Sequence, residues 1–367
     1  MQELPASAFV PTEARFPADV HCTRIRFDGQ QLPLASFLRH CARMLDPVGS
    51  PEHETRAADE PPALARARRV FLHAGLAALA DDARPSWFQL GVAPPAGREL
   101  RVELYRQVAL LARELLHDGA AGNFFLMHKP PGLRLRFESG TGTGSGSGSG
   151  VGRGGRVAPV AGRVRAAVAG WRRDGLVLAV EPGVYEPENR LFGGPVSMRY
   201  AHRVFTADSL AWLDFHAADP ADTGPDWAVS LAMVRALLDA LAIAGWEDID
   251  VWDRIRDRTG RQLPSGAAEL SELTEIDTEL VELWQHPESL IRQLPPVARR
   301  IVDEYRAAVE PIGRQWRTGY FATEAAGLGP RAVAAFVIVF HWNRAGMTML
   351  RQALLAQALA TREAGVR

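Results

Sequence analysis

Three separated stretches carry the side chains with the most chemistry in them. In Leu133-Arg134-Leu135-Arg136-Phe137 the arginines alternate with apolar residues, so a strand places both guanidiniums on one face. There they can hold a carboxylate, a peptide carbonyl or charge growing on an oxygen. The stretch from Tyr185 to Gly194 carries Glu186, Glu188 and Arg190 ahead of Phe192-Gly193-Gly194-Pro195. It offers a phenol that can donate a proton or hold a carbonyl, a carboxylate that can orient a basic group, and glycines that permit a close bend. The third stretch, His341-Trp342-Asn343-Arg344, combines a group that transfers protons near neutral pH, an amide that can orient a peptide and a fixed cation for an oxyanion. Each stretch has a plainer reading: a basic strand face with ordinary ion pairs, a solvated loop with an internal Glu-Arg pair, and a structural histidine beside tryptophan.

These residues need a scaffold. Asn123 to Met127 reads as strand-like and the alternation from Leu133 to Phe137 predicts a strand, preceded by a helix from Tyr105 to Leu116 that Gly119 and Gly122 terminate. Further strands are expected at His21 to Phe27, Trp87 to Leu90 and Leu176 to Val180, and helices at Leu34 to Met44 and Ala63 to Ala80, with a loop between those helices from Asp46 to Pro62. Ser197 to His216 reads as a helix in which Asp208-Ser209 interrupts or caps the run. Trp227 to Ala244, the region Leu270 to Ala308 with breaks at Pro287 and Pro295-Pro296, and Met347 to Ala360 also read as helical. The run Arg331 to Phe340 reads as an apolar strand, with His341, Asn343 and Arg344 exposed together by the turn after it. Gly140 to Gly155 is a Gly/Ser repeat with too little side chain to offset ordering its backbone, and is expected to be a flexible loop. The order of elements favours an α+β fold, a mixed or antiparallel sheet with peripheral helices, built as a single domain over 1–367.

With 367 residues, 47% hydrophobic content and a formal charge of -1, the chain can bury a large core and gives no electrostatic reason to bind nucleic acid. Cys22 and Cys41 form no Cys-x-x-Cys pair, so neither a structural zinc nor a disulfide framework is expected. The glycines match no dinucleotide fingerprint or phosphate loop. No signal-like start or membrane-length apolar run is present, which makes cytoplasmic action the simpler expectation.

Taken in order, Leu133-Arg134-Leu135-Arg136-Phe137, Tyr185-x-x-Glu188 leading to Gly193-Gly194, Phe205-x-x-Asp208-Ser209 and His341-x-Asn343-Arg344 resemble the elimination-domain superfamily of class I lantibiotic dehydratases and thiopeptide biosynthesis enzymes. The likeness extends from about Phe124 to Met347. Glutamate-eliminating members usually carry an arginine-tyrosine segment, a proline-rich turn and a histidine directly before the Leu-Arg-Leu-Arg strand, and an arginine directly before the aromatic-Gly-Gly stretch; this chain has Met127-His128-Lys129-Pro130-Pro131-Gly132 in the first place and Leu191 in the second. Those departures point to a stand-alone member resembling thiopeptide pyridine synthases.

The resemblance implies a formal [4+2] cycloaddition between two dehydroalanines of a leader-bearing, thiazole-containing precursor peptide, then loss of water and leader. It implies His341 as a proton-transfer residue and Tyr185 as its assistant. Arg134, Arg136 and Arg344 become amide or oxyanion binders, Glu188 and Asn343 orient peptide or base, and Trp342 shapes an aromatic pocket for thiazoles. No cofactor or metal is required, and the partners implied are the precursor peptide and, transiently, other biosynthetic enzymes. The alternatives are a lyase that removes glutamate from glutamylated Ser or Thr, and a noncatalytic leader-binding protein.

Overall fold

The computed structural model describes residues 3–5, 24–27, 29–43, 60–82, 87–140, 153–263 and 271–361. The chain divides into two compact units, Met1–Arg84 and Pro85–Arg367. In the first, strand β1 (Glu3–Pro5) runs parallel to β2 (Arg24–Phe27), which pairs antiparallel with β3 (Gln30–Pro33). Helices α1 (Leu34–Arg43) and α2 (Pro62–Asp82) follow. A small core gathers Ile25, Leu34, Phe37, Cys41 and Ala67. The expected early strand is present at Arg24–Phe27; Cys22 lies outside the described residues, as does most of the expected loop after α1.

In the second unit, β4 (Trp87–Ala93), β5 (Ala121–Lys129), β6 (Gly132–Ser139) and β7 (Ala179–Gly183) form an antiparallel sheet in the order β5-β6-β4-β7. The period-2 pattern sets its two faces. Phe88, Leu90, Val92, Phe124, Leu126, Leu133, Leu135 and Phe137 pack on one side against α3 (Arg98–His117) and α4 (Arg153–Arg173). Register then puts Gln89 beside Arg136 and Phe125 on the other side, and Arg134 beside Met127. The expected common face for Arg134 and Arg136 is therefore present. The Gly/Ser stretch lies outside the described residues from 141 to 152, and helix α4 already begins at Arg153.

The second face is covered by helices, chiefly α5 (Pro195–Ala217) and α12 (Pro330–Ala345). Between them in sequence come α6 (Pro220–Thr223), α7 (Asp226–Ala240), α8 (Trp246–Arg258), α9 (Ser271–Gln285), α10 (Pro287–Gln293) and α11 (Pro296–Trp316); α13 (Met349–Thr361) closes the fold. Their shared core includes the buried indoles of Trp212, Trp252, Trp284, Trp316 and Trp342. Helix α5 is also bonded to the sheet's outer strand: the N–H groups of Phe124 and Leu126 donate to Thr206 Oγ1 and Ser209 Oγ, each at 3.1 Å. None of the described helices is long and apolar enough to cross a membrane.

The α+β architecture, with antiparallel pairing and peripheral helices, is the one expected. Two local expectations fail. Arg331 to Phe340 is helical, because a buried apolar run of this kind cannot be told from a strand by periodicity alone. Pro330 opens the helix, and Gly346, at φ 72°, ends it with Met347 N–H donating to Trp342 O at 3.0 Å. Asp208-Ser209 neither caps nor breaks α5 but lies buried within it. The strand expected at Leu176 to Val180 forms slightly later, at Ala179–Gly183, while Leu176 and Val177 pack into the core before it.

Candidate active site

On α12, His341 and Arg344 are three residues apart and so share one helix face. That face meets Asp208 of α5. His341 Nδ1 lies 2.5 Å from Asp208 Oδ1, and Arg344 Nε donates to Asp208 Oδ2. Burial raises the Asp208 pKa, but His341, Arg344 and their hydrogen bonds outweigh it and hold the carboxyl below its ordinary value. Trp212 Nε1 also lies 3.2 Å from His341 Nδ1. A nitrogen that donates to Asp208 has no lone pair to offer an indole, so the shorter carboxylate contact fixes the tautomer and the indole only abuts it.

That tautomer leaves His341 Nε2 as an acceptor for Ser230 Oγ of α7, at 2.9 Å, while Trp342 Nε1 donates to the same hydroxyl at 3.2 Å. The order Ser230-His341-Asp208 is that of a nucleophilic triad. It is sealed, however: Ser230 is 0% exposed, Asp208 1% and His341 2%. Both His341 nitrogens are engaged, and Trp342 stacks on Trp252 at 6.1 Å between centroids. The expected exposure of His341 and Arg344 in a turn is thus corrected. Asn343 points its backbone carbonyl, not a shared face with them, toward His128 Nδ1 at 3.3 Å.

A second polar group lies on the helix-facing side of the sheet. Arg136 Nε donates to Gln89 Oε1 at 2.7 Å, and its guanidinium lies 4.9 Å from the Phe125 ring centre and 4.6 Å from that of Tyr185. A Cβ on Gly183 would fall 2.1 Å from Gln89 Nε2, so the glycine leaves this amide its place. Tyr185 Oη lies 2.8 Å from His202 Nε2. Burial, and then the Glu188 charge, raise the Tyr185 pKa against the opposing pull of Arg136, so the phenol stays protonated and able to donate. Burial likewise lowers the Arg136 pKa, with the charges of Tyr185 and Glu188 opposing it. Glu188 Oε2 is buried with no hydrogen-bond partner among the described residues. Trp87, half-buried, meets Tyr185 edge-on at 4.9 Å and His202 at 4.5 Å.

The two groups approach each other through Arg344. Its Nη1 lies 3.9 Å from Met127 Sδ, its guanidinium 4.4 Å from the Phe205 ring centre, and its Nη2 is buried without a hydrogen bond among the described residues. Its charge is felt at both Tyr185 and Arg136. Arg134 stands apart, half-exposed, with Nε donating to Pro130 O at 3.2 Å. The turn carrying Glu188 is held at Gly193, φ 84°, whose carbonyl accepts from Tyr320 Oη at 2.7 Å. Any Cβ there would sit 2.3 Å from that oxygen.

Sequence reasoning thus named Tyr185, Arg136, Glu188, His341 and Arg344, and missed Gln89, Trp87, His202 and Ser230. Asp208 was read as a local helix signal and as part of the Phe205-x-x-Asp208-Ser209 resemblance, with no partner named for it. Chemically, the sheet group offers a neutral phenol, a cation and an unpaired carboxylate oxygen side by side. The helix group offers a charge-neutralised ion pair that fixes an imidazole.

A similar fold occurs in the crystal structure of the tRNA-dependent lantibiotic dehydratase MibB from Microbispora sp. 107891, with TM-score 0.55 and 18% identity over 76% of this chain. The match spans 28% of that longer chain, and at this identity it speaks for the fold. No curated protein matches the sequence. The family model described as the C-terminal part of lantibiotic biosynthesis dehydratases matches residues 87–362, and so covers the sheet, both polar groups and the helices around them. This chain belongs to that lantibiotic dehydratase C-terminal family, kin of the elimination domains its motifs resemble.

Proposed function

We propose that the chain is a peptide-modifying lyase that forms the pyridine of a thiopeptide. Two dehydroalanines of a leader-bearing, azole-containing peptide would join in a formal [4+2] cycloaddition. One reacts as the aza-diene tautomer of its amide, and two new ring bonds form. Water then leaves with the former amide oxygen, and the leader leaves as its amide, giving the aromatic ring. The observation that carries this reading is the sheet group, a Tyr185 phenol kept protonated and bonded to His202 beside the Arg136 cation. Such a pair suits proton delivery to a leaving oxygen or nitrogen while the cation steadies charge on an amide oxygen. Glu188, with its unpaired oxygen, would hold a peptide N–H, and Trp87 would form the aromatic wall facing a thiazole. Arg344 and Asp208 would fix His341, whose proton-transfer role requires opening around Ser230.

Glutamate elimination is the second reading, favoured by the kinship with a dehydratase and by two arginines on one strand face. Against it, Leu191 stands where the resemblance places an arginine in glutamate-eliminating members, leaving Arg136 without that partner for a departing dicarboxylate. The test is mass spectrometry on two peptides: one with two dehydroalanines and thiazoles, one glutamylated. A leader-free macrocycle and a free leader amide are expected from the first. No change in the first, with glutamate lost from the second, would overturn pyridine formation in favour of elimination.

A further inference from the structure

The four-stranded sheet has a second edge, at β7, and among the described residues no hydrogen bond from another element reaches Val180 or Pro182 there. Which backbone groups face outward follows from the register. In an antiparallel ladder a residue's N–H and C=O point to the same side, and that side alternates along the strand. Phe124 and Leu126 turn theirs out at the β5 edge, where Thr206 and Ser209 take the N–H groups. Phe125 therefore faces Arg136 of β6, Leu135 faces Leu90 of β4, and Gln89 and Gly91 face Gly183 and Glu181 of β7. That leaves Val180 and Pro182 pointing out of the sheet. The open edge thus offers one donor, Val180 N–H, and two acceptors, the carbonyls of Val180 and Pro182, because proline has no N–H.

This edge leads to the sheet group. Gly183 lies opposite Gln89, which accepts from Arg136 Nε, and Tyr185 follows two residues later. Leu178 and Val184, at either end of the strand, are 61% and 85% exposed. A strand added along β7 would therefore run beside Tyr185 and Arg136, with apolar contacts at both ends.

The missing donor selects the guest. In an antiparallel guest strand, the residue opposite Val180 exchanges two hydrogen bonds with it. The residue opposite Pro182 donates its N–H to the proline carbonyl, but its own carbonyl meets no donor. A residue directly before a thiazole has an N–H and no carbonyl, since its carbonyl carbon is part of the ring. It matches Pro182 with nothing left unpaired. A second copy of β7 would bring another proline without a donor and another exposed Glu181.

We propose that the open edge of β7 docks the thiazole-bearing segment of the peptide substrate as an added antiparallel strand, with the residue before a thiazole opposite Pro182. The inference rests on the azole-peptide reading above and names how that peptide is held.

The probe is a short acetylated, amidated peptide with one internal thiazole and no dehydroalanine, so that binding is read without turnover. Its control carries serine in place of the ring. With the full chain labelled for NMR, a saturable shift and slowed exchange of the Val180 N–H are expected, and the thiazole peptide should bind about two- to tenfold more tightly than the control. Val180→Pro removes the outward donor and should abolish binding of both. Pro182→Val adds the missing donor and should raise the control to the level of the thiazole peptide, a gain that a misfolded chain cannot give. No response at Val180, equal binding of the two peptides to the parent chain, or a preference that survives Pro182→Val overturns the proposal. So does a concentration-dependent dimer that Val180→Pro abolishes, which gives the edge to a second copy. Binding by a chain that forms no pyridine leaves the docking in place, and pyridine formation without a Val180 response removes only the docking.

Discussion

The two polar groups of the second unit each join an arginine to a carboxylate residue and a hydroxyl, and they differ in how those are placed. Asp208, His341, Arg344 and Ser230 are buried between helices, with the His341 ring bonded at both nitrogens. Arg136, Tyr185 and Glu188 lie on a sheet face beside half-buried Trp87, with a carboxylate oxygen left over. The first stores its electrostatics internally, where removing one partner strands another charge. Each keeps one buried polar atom without a hydrogen bond among the described residues, Arg344 Nη2 in the first and Glu188 Oε2 in the second. Arginine and histidine alone therefore do not mark a site.

The comparison breaks most sharply at Asp208. Asp208→Ala strands Arg344 and frees His341 to rotate, and is expected to lower unfolding free energy by about 3–5 kcal/mol, measured by urea denaturation. A stability close to the parent's would show that the helix group is not closed. Tyr185→Phe probes the other side. It should reduce product formation by about 10²–10⁴-fold in the mass-spectrometric assay, while stability falls only by about 1 kcal/mol. Turnover at the parent's rate would remove Tyr185 as the acid. Gly193→Ala should cost about 1–3 kcal/mol, because both the positive φ and the Tyr320 hydroxyl oppose a Cβ. Thermal melting reads this directly, and a Tyr320→Phe background should relieve only the steric part.

The smallest effect concerns pH. Burial, then the nearby His128 charge, lowers the His216 pKa from 6.5 to about 3. The unfolded chain binds this proton more readily, so stability is fully present above the ordinary histidine value and is lost as pH falls from 6.5 toward about 3. His216→Phe should flatten that part of the acid limb, and a pH series of urea midpoints would display it. An unchanged slope would mean that His216 is already solvated.

The sheet was legible because its code is short: Leu133, Leu135 and Phe137 alternate with Arg134 and Arg136 within one strand, and the period alone assigns their faces. The family kinship was legible from the order of such short stretches. Helix α12 was not, because Val333 and Val337 to Val339 satisfy a strand's composition and a buried helix's surroundings equally well. Asp208 carries no local sign of its role, since its partner His341 lies 133 positions away. His202 and Ser230 are ordinary helix residues until α5 and α7 bring them against Tyr185 and His341. Tertiary pairing of this kind has no periodicity to read.

The hydroxyls of Thr206 and Ser209 have a further consequence for how the molecule behaves in a crowded solution. Strand β5 is the sheet's outer strand, and an outer strand with open N–H groups is a template on which another chain can grow. Two of those groups are already spoken for by a helix of the same molecule. At Phe124 and Leu126 the edge of the sheet therefore offers no open N–H for another chain to pair with.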